Sequence, residues 1–268
     1  MPNFQNIAVI GFGKMGRLYD QFLTATYIID VLPVQNRVYF SQLDEFLHYG
    51  QPVDLAIVTN PTPLHDETVN KLLSYGINVL CEKPLCFSSD TCVRLERLAK
   101  KKGLMLYQST LERYNPAIQY IKEHIKMSDV DHIESFRFGT RPEWNYTSDP
   151  KYDLGIHDVD LWVYLTRRLI PWTMHCGYGT PKRELLLYLK TGDTILLDLQ
   201  KKLVRRSDTV LDFSTTSGSN PIVEMVTALV KNGKRMNESW GQEIAIIEHM
   251  SSGKDSYSVL LTEDYREK

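Results

Sequence analysis

The sequence predicts an α/β chain in two parts: a parallel sheet flanked by helices, then an α+β part with a mostly antiparallel open sheet. Three observations predict it. The apolar run Ile7-Ala8-Val9-Ile10 leads straight into Gly11-Phe12-Gly13-Lys14-Met15-Gly16 and a helix-like stretch to about Leu23. Strand-like and helix-like stretches then alternate as far as about Leu111. After Pro171 strand follows strand, with Thr191-Gly192-Asp193 as a hairpin turn.

The first of these carries chemistry. A strand before and a helix after give Gly-x-Gly-x-x-Gly its meaning as a dinucleotide-binding turn. Gly11 permits the tight turn, Gly13 lets a pyrophosphate approach the main chain, and Gly16 lets the helix pack on the strand. The amides of Phe12, Lys14 and Met15 belong to the same turn, and the helix N-terminus offers its unpaired N–H groups to phosphate. The N-terminal part is therefore expected to be a Rossmann-type domain, residues 1–111, followed by an α+β domain, residues 112–268, which the resemblance set out below makes a substrate-binding and oligomerisation domain.

The next elements follow in order. Tyr27 to Gln35 holds a second strand, with Val38-Tyr39-Phe40 too close behind it for a full helix between. The residue that reads the adenosine ribose should lie about 20 positions past the glycines. That spacing selects Arg37, which would suit a 2′-phosphate, and so NADP over NAD; Asp30 takes the role if the first helix is short. Ser41-Gln42-Leu43-Asp44 resembles a capping box for a helix to His48. Leu55–Thr59 is a buried strand ending at Asn60-Pro61. Asp66–Ser74 is a helix stopped at Gly76. Asp90–Lys102 is a helix capped near Ser88 or Ser89 and stopped by Gly103.

Between those helices Val79-Leu80-Cys81-Glu82-Lys83-Pro84 reads as a buried strand that ends on a lysine. Pro84 restricts the backbone of Lys83. A lysine at the carboxyl end of a strand in a parallel sheet stands where such sheets bind ligands.

In the second part, Asn115-Pro116 caps and opens a helix to about Lys126, and Ile133–Gly139 is a strand. Residues 140–152 form a polar loop in which Trp144 is a candidate pocket wall. From Asp153 the pattern is helical to about Thr166. Asp153, His157 and Asp160 stand at i, i+4 and i+7 on one face, which argues for a wet cleft because such a set is costly to bury. A zinc site is the rival reading, but no second histidine or cysteine has ligand spacing. Thr173–Gly179, Arg183–Leu189, Thr194–Leu199 and Val210–Ser214 are strands, and Asn220-Pro221 and Gly241 open two last helices.

Composition sets bounds. With 268 residues, 43% hydrophobic and 24% charged, the chain is ordinary for a globular protein. A formal net charge of −2 without basic blocks argues against nucleic acid as the main partner. No apolar run approaches the ~18 residues of a membrane span, and the N-terminus does not read as a signal peptide. The four cysteines form no Cys-x-x-Cys pair, so free thiols and a cytoplasmic location are expected.

The glycine turn, Thr59-Asn60-Pro61 with His65, Glu82-Lys83-Pro84-Leu85, Arg113-Tyr114-Asn115-Pro116 and Asp153-Leu154-Gly155-Ile156-His157-Asp158-Val159-Asp160 follow one another in this order. Together they resemble the glucose–fructose oxidoreductase / inositol dehydrogenase / MocA family of NAD(P)-dependent oxidoreductases. The resemblance covers residues 5–170 well. It implies cofactor contacts at Thr59, Asn60, Pro61, His65, Glu82 and Lys83, and substrate contacts at Lys83, Arg113, Asp153, His157 and Asp160. It also implies a sugar, cyclitol or related polyol as substrate, and a dimer or tetramer. Lys83 would stabilise charge on the reacting oxygen, His157 would carry its proton, and Asp153 would orient the substrate or the lysine. No metal is expected. Two other classes stay open: a dinucleotide-sensing regulator without turnover, and a hydrolase that retains NAD and works by transient oxidation.

Overall fold

A computed structural model describes residues 4–141, 149–216, 220–231 and 240–252. The chain forms two compact units. One comprises residues 1–114 and 220–241, the other residues 115–219 and 242–268. The division thus falls after Tyr114 rather than Leu111, and a C-terminal segment returns to the first unit.

The first unit is built on a six-stranded parallel sheet in the order β3-β2-β1-β4-β5-β6. Its strands are β1 (Ile7–Ile10), β2 (Tyr27–Ile29), β3 (Tyr39–Phe40), β4 (Leu55–Val58), β5 (Asn78–Cys81) and β6 (Leu106–Gln108). β1 and β4 are buried at every position. That is why they read as unbroken apolar runs rather than alternating ones. Each fully buried Val, Leu or Ile stabilises the sheet by about 1.5–3 kcal/mol. The helices are α1 (Lys14–Leu23), α2 (Leu43–His48), α3 (His65–Ser74) and α4 (Ser89–Lys102).

Local signals place their ends. Ser88 accepts the Thr91 amide at the start of α4, and Gly103 closes it in the left-handed conformation with φ +68°. The capping box expected at Ser41 is absent. Gln42 is the N-cap of α2 and makes no side-chain cap, while Ser41 Oγ meets Glu45 instead. The expected free thiols are also corrected: Cys86 and Cys92 are joined, with Cα atoms 6.2 Å apart. The first turn of α4 brings Cys92 back to the loop that carries Cys86, a closure that a search for Cys-x-x-Cys spacing does not see. Cys81 and Cys176 are free.

The returning segment is α7 (Pro221–Val226), a π-helical turn (Thr227–Lys231), and the first residues of α8 (Trp240–Ser251). Asn220 caps α7 through the Ile222 amide. Trp240 meets Tyr107 edge-on at 5.2 Å, and the Gly241 amide donates to Glu96 at 2.9 Å.

The second unit carries another six-stranded sheet, ordered β12-β11-β10-β9-β7-β8. Its strands are β7 (Val130–Gly139), β8 (Trp172–Tyr178), β9 (Lys182–Leu189), β10 (Thr194–Asp198), β11 (Leu203–Arg206) and β12 (Thr209–Asp212). β7 and β8 pair in parallel and all other neighbours are antiparallel. Ile133, Leu185, Leu187, Ile195 and Leu197 are buried on one face. On the other, His132 stacks on Tyr188 and Phe136 on His175. α5 (Pro116–His124) starts at an Asn115 cap. α6 (Ile156–Thr166) is fixed to β7 by a buried ion pair, Arg137 Nε to Asp158 Oδ1 at 2.7 Å.

Removing one partner of a buried ion pair leaves the other charge uncompensated. Arg137→Met should therefore cost about 3–5 kcal/mol in denaturant unfolding. Arg137→Met with Asp158→Leu should restore most of that loss. A double variant as unstable as the single one would show that the pair does not hold α6.

Candidate active site

Parallel pairing puts the strand ends of the first unit in line. Ile10 registers with Ile29 on one side and Val58 on the other, and Val58 registers with Cys81. The residues just past those ends are Gly11, Asp30, Thr59 and Glu82. They share the carboxyl edge of the sheet, with β1 at the point where strand order reverses. Open α/β sheets bind ligands at that crevice.

The turn after β1 is shaped by what cannot fit. Gly11 has φ +89°, and a Cβ there would lie 2.6 Å from the Asn60 amide nitrogen. A Cβ on Gly16 would lie 2.1 Å from the Gly11 carbonyl oxygen. A Cβ on Gly13 would meet nothing within 4 Å. The turn is closed behind and open in front, as a pyrophosphate requires. Thr59 Oγ1 donates to the Gly11 carbonyl at 2.5 Å, so Thr59 braces the turn from behind. α1 begins at Lys14 and Met15, whose amides head the helix.

Asp30 follows β2 at once. Its carboxylate accepts the Phe12 amide and, at 2.8 Å, the Leu32 amide. That aims an anion at the glycine turn. Arg37 does not reach it. Its guanidinium grips Asp20 with two bonds of 2.7 Å and also donates to the Ala25 carbonyl. Arg37, which spacing selected as reader of the ribose, is thus engaged elsewhere, and Asp30, the other candidate, lies against the turn. α1 ends at Leu23 and β2 starts at Tyr27, so the acid arrives earlier than the usual spacing allows.

The tip of β5 is held from several sides. Lys83 is half-buried, and the Lys83–Pro84 peptide bond is cis. Glu82 Oε1 accepts the Tyr19 hydroxyl at 2.9 Å and Glu82 Oε2 accepts the Lys83 amide at 3.2 Å. The Leu85 amide donates to Gln108 Oε1 at 2.8 Å. Asn60 donates to Thr68 at 3.0 Å, while its Oδ1 is buried with no hydrogen-bond partner among the described residues. Pro61 is exposed beside it.

His65, expected as a cofactor contact, is buried. It is 1% exposed, with Nδ1 2.9 Å from the Pro84 carbonyl oxygen and Nε2 2.8 Å from that of Asn60. It clamps the β4 tip to the β5 tip. Arg113 is likewise buried, at 1% exposure, with its guanidinium over the Trp240 ring. Its burial counts against the substrate contact that the resemblance implied.

In the second unit the uniform helix expected from Asp153 is interrupted. Lys151–Gly155 is a π-helical turn and α6 begins only at Ile156. The wider turn takes Asp153 out of strict α-helical register with His157. Asp153 Oδ2 faces the Tyr178 hydroxyl at 3.5 Å. His157 is half-buried, but Asp160 is only 3% exposed, so the shared wet face fails at Asp160. Gly155 allows the turn to sit against β8, where a Cβ would come within 3.1 Å of Met174. Trp144 lies outside the described residues. Among the described residues no three potential metal ligands converge, and no described helix is long and apolar enough to cross a membrane.

Residues 5–110 match the model of the oxidoreductase family with an NAD-binding Rossmann fold, Gfo/Idh/MocA. Residues 5–110 are thus similar to the dinucleotide-binding domain of the Gfo/Idh/MocA oxidoreductases. An uncharacterised oxidoreductase of Schizosaccharomyces pombe is 32% identical over 132 residues, 45% of this chain and 36% of that one. The chain thus spans little more than a third of that relative. The myo-inositol dehydrogenase Hyg17 of Streptomyces leeuwenhoekii is 24% identical over 252 residues, 86% of this chain and 75% of that one. Among solved structures, UDP-N-acetylglucosamine 3-dehydrogenase from Acidithiobacillus ferrooxidans superposes with a TM-score of 0.75 at 17% identity. It covers 93% of this chain and 97% of that one, a likeness of fold.

Some residues that hold the candidate groups within each unit carried no sequence signal. Tyr19, Arg137, Asp158 and Tyr178 act through packing that no spacing rule reports. Burial pushes the Cys176 thiol, beside the π-helical turn, up to about 11.

His65 gives a test. Burial is the largest influence on it and sets its pKa below the usual 6.5, against the raising effect of the two carbonyls and Glu82. A neutral imidazole has one N–H for the two carbonyls. The unfolded chain binds the proton more readily, so this contribution to stability is complete above about pH 6.5 and is lost as pH falls below it. The fall in Tm between about pH 7.5 and 5.5 should be smaller in His65→Gln than in the parent protein. Equal falls would remove His65 from the titration.

Proposed function

We propose that the chain is an NAD-dependent oxidoreductase acting on a hydroxyl-bearing carbon of a sugar, cyclitol or related polyol. The observation that carries it is the edge of the first sheet, where an open glycine turn, an acid and a lysine stand at the ends of β1, β2 and β5. The match of residues 5–110 to an NAD-binding oxidoreductase domain supports the same reading. The names of the relatives, a myo-inositol dehydrogenase and a UDP-sugar dehydrogenase, support the substrate class.

The residues present fit the cofactor. Gly13 leaves room for phosphate, Asn60 keeps an unpartnered buried oxygen, and Asp30 offers a carboxylate to ribose hydroxyls. A 2′-phosphate beside that carboxylate would meet like charge, and Arg37 is committed to Asp20. NAD is therefore favoured over the NADP that spacing alone suggested. When bound, the nicotinamide takes up or gives back the hydride.

The protein's own groups handle the proton and the charge. Lys83 donates to the reacting oxygen and opposes the negative charge that develops there. His157 takes the hydroxyl proton in oxidation and returns it in reduction, a role suited to an imidazole. Asp153 orients the substrate. Asp160 and Arg113, both buried, have no part in this.

Lys83→Met and His157→Ala should each lower kcat by ~10²-fold or more with little change in NAD affinity. Turnover near the parent level in both would sink the oxidoreductase reading. Asp30→Ala should reduce the preference for NAD over NADP by about tenfold or more, read from the two dissociation constants. An unchanged preference would free Asp30 from that role.

A further inference from the structure

We infer that Tyr19 is a positioning residue for the Glu82–Lys83 strand tip. The inference rests on the oxidoreductase reading above and adds a residue to it.

Tyr19 lies on α1, three residues past Gly16, and is fully buried. A phenol in a core is costly unless its hydroxyl is bonded, and phenylalanine would fill the same space without that demand. The hydroxyl here lies 2.9 Å from Glu82 Oε1 and 3.0 Å from Ser109 Oγ. It has one proton for two oxygens, and the carboxylate is the stronger acceptor. Burial, and then the nearby Glu82 charge, hold its pKa well above the usual 10, so the proton stays on the phenol.

The other Glu82 oxygen accepts the Lys83 amide. The carboxylate is thus fixed at both ends, by the nucleotide-binding helix and by the main chain of Lys83 itself. One hydroxyl ties together α1, the β5 tip and the segment after β6. The direction that Glu82 presents at the sheet edge is set by Tyr19, which touches neither cofactor nor substrate.

The test is a double-mutant cycle with Tyr19→Phe and Glu82→Gln. The readouts are NAD dissociation constants by calorimetry, which do not depend on turnover, together with kcat and KM. Tyr19→Phe keeps the ring and so should fold. It should weaken NAD binding about threefold to tenfold and lower kcat about tenfold with KM for the polyol little changed. With Glu82 already changed to Gln, removing the hydroxyl should matter less than about twofold. Parent-level binding and kcat in Tyr19→Phe, or effects of the two changes that simply multiply, would overturn the inference. Failure of the parent protein to bind NAD at all would overturn the oxidoreductase reading and this inference with it.

Discussion

The close approach of α1 to the end of β1 is the constraint on which the rest of the first unit depends. Gly16 sits where any side chain would strike the Gly11 carbonyl, and Gly11 sits where any side chain would strike the main chain of Asn60. Two missing methyl groups therefore bring three segments into contact. From that contact follow the open position at Gly13, the reach of the Asp30 carboxylate to the Phe12 amide, and the reach of Tyr19 to Glu82. None of these needs the others as a cause. All need the helix to begin this close to the strand.

What the sequence made legible was local. Gly103 after α4, Ser88 before it, Asn115 before α5 and Asn220 before α7 each act within a few residues, so their signals survive without the fold. The same holds for the buried strands of the first sheet, whose apolar runs are uninterrupted. Rules that assume a standard length failed. The ribose residue was sought about 20 positions past the glycines. Here α1 is ten residues long and β2 begins four residues after it ends, so Asp30 stands at the strand tip and Arg37 belongs to a loop held by Asp20. β11 was missed because Leu203–Arg206 has too few apolar residues to announce itself, and it is placed by pairing with β10.

Burial was the other blind spot. His65, Arg113 and Asp160 are polar or charged, and the sequence offers no sign that they are inside. The general rule that buried polar groups are costly favours a wet reading for each. The structure meets part of that cost for His65, since a neutral ring can donate its one N–H to either the Pro84 or the Asn60 carbonyl. A polar residue beside a site motif therefore has two readings, contact or clamp, and only the partners of its atoms separate them. By that measure Glu82 is both: its carboxylate stands at the sheet edge and is held there from below by a phenol.

The two units steady their candidate residues by different means. At the β5 tip the holding groups are main-chain carbonyls and amides, one phenol, the Glu82 carboxylate and the His65 ring. At the head of α6 the holding group is a buried charge pair, Arg137 with Asp158, next in sequence to His157. A buried pair contributes little net stability over an apolar pair of the same size, because desolvation offsets the attraction. Its advantage is directional. A slipped helix would leave two unpaired charges in the core, so wrong registers are penalised far more than the right one is rewarded. The π-helical turn just before α6 makes that penalty relevant, since a five-residue turn next to a four-residue one is the kind of joint where register could slip. On this argument Asp158 fixes the register of α6, and Gly155, where a Cβ would come within 3.1 Å of Met174, fixes where the joint lies.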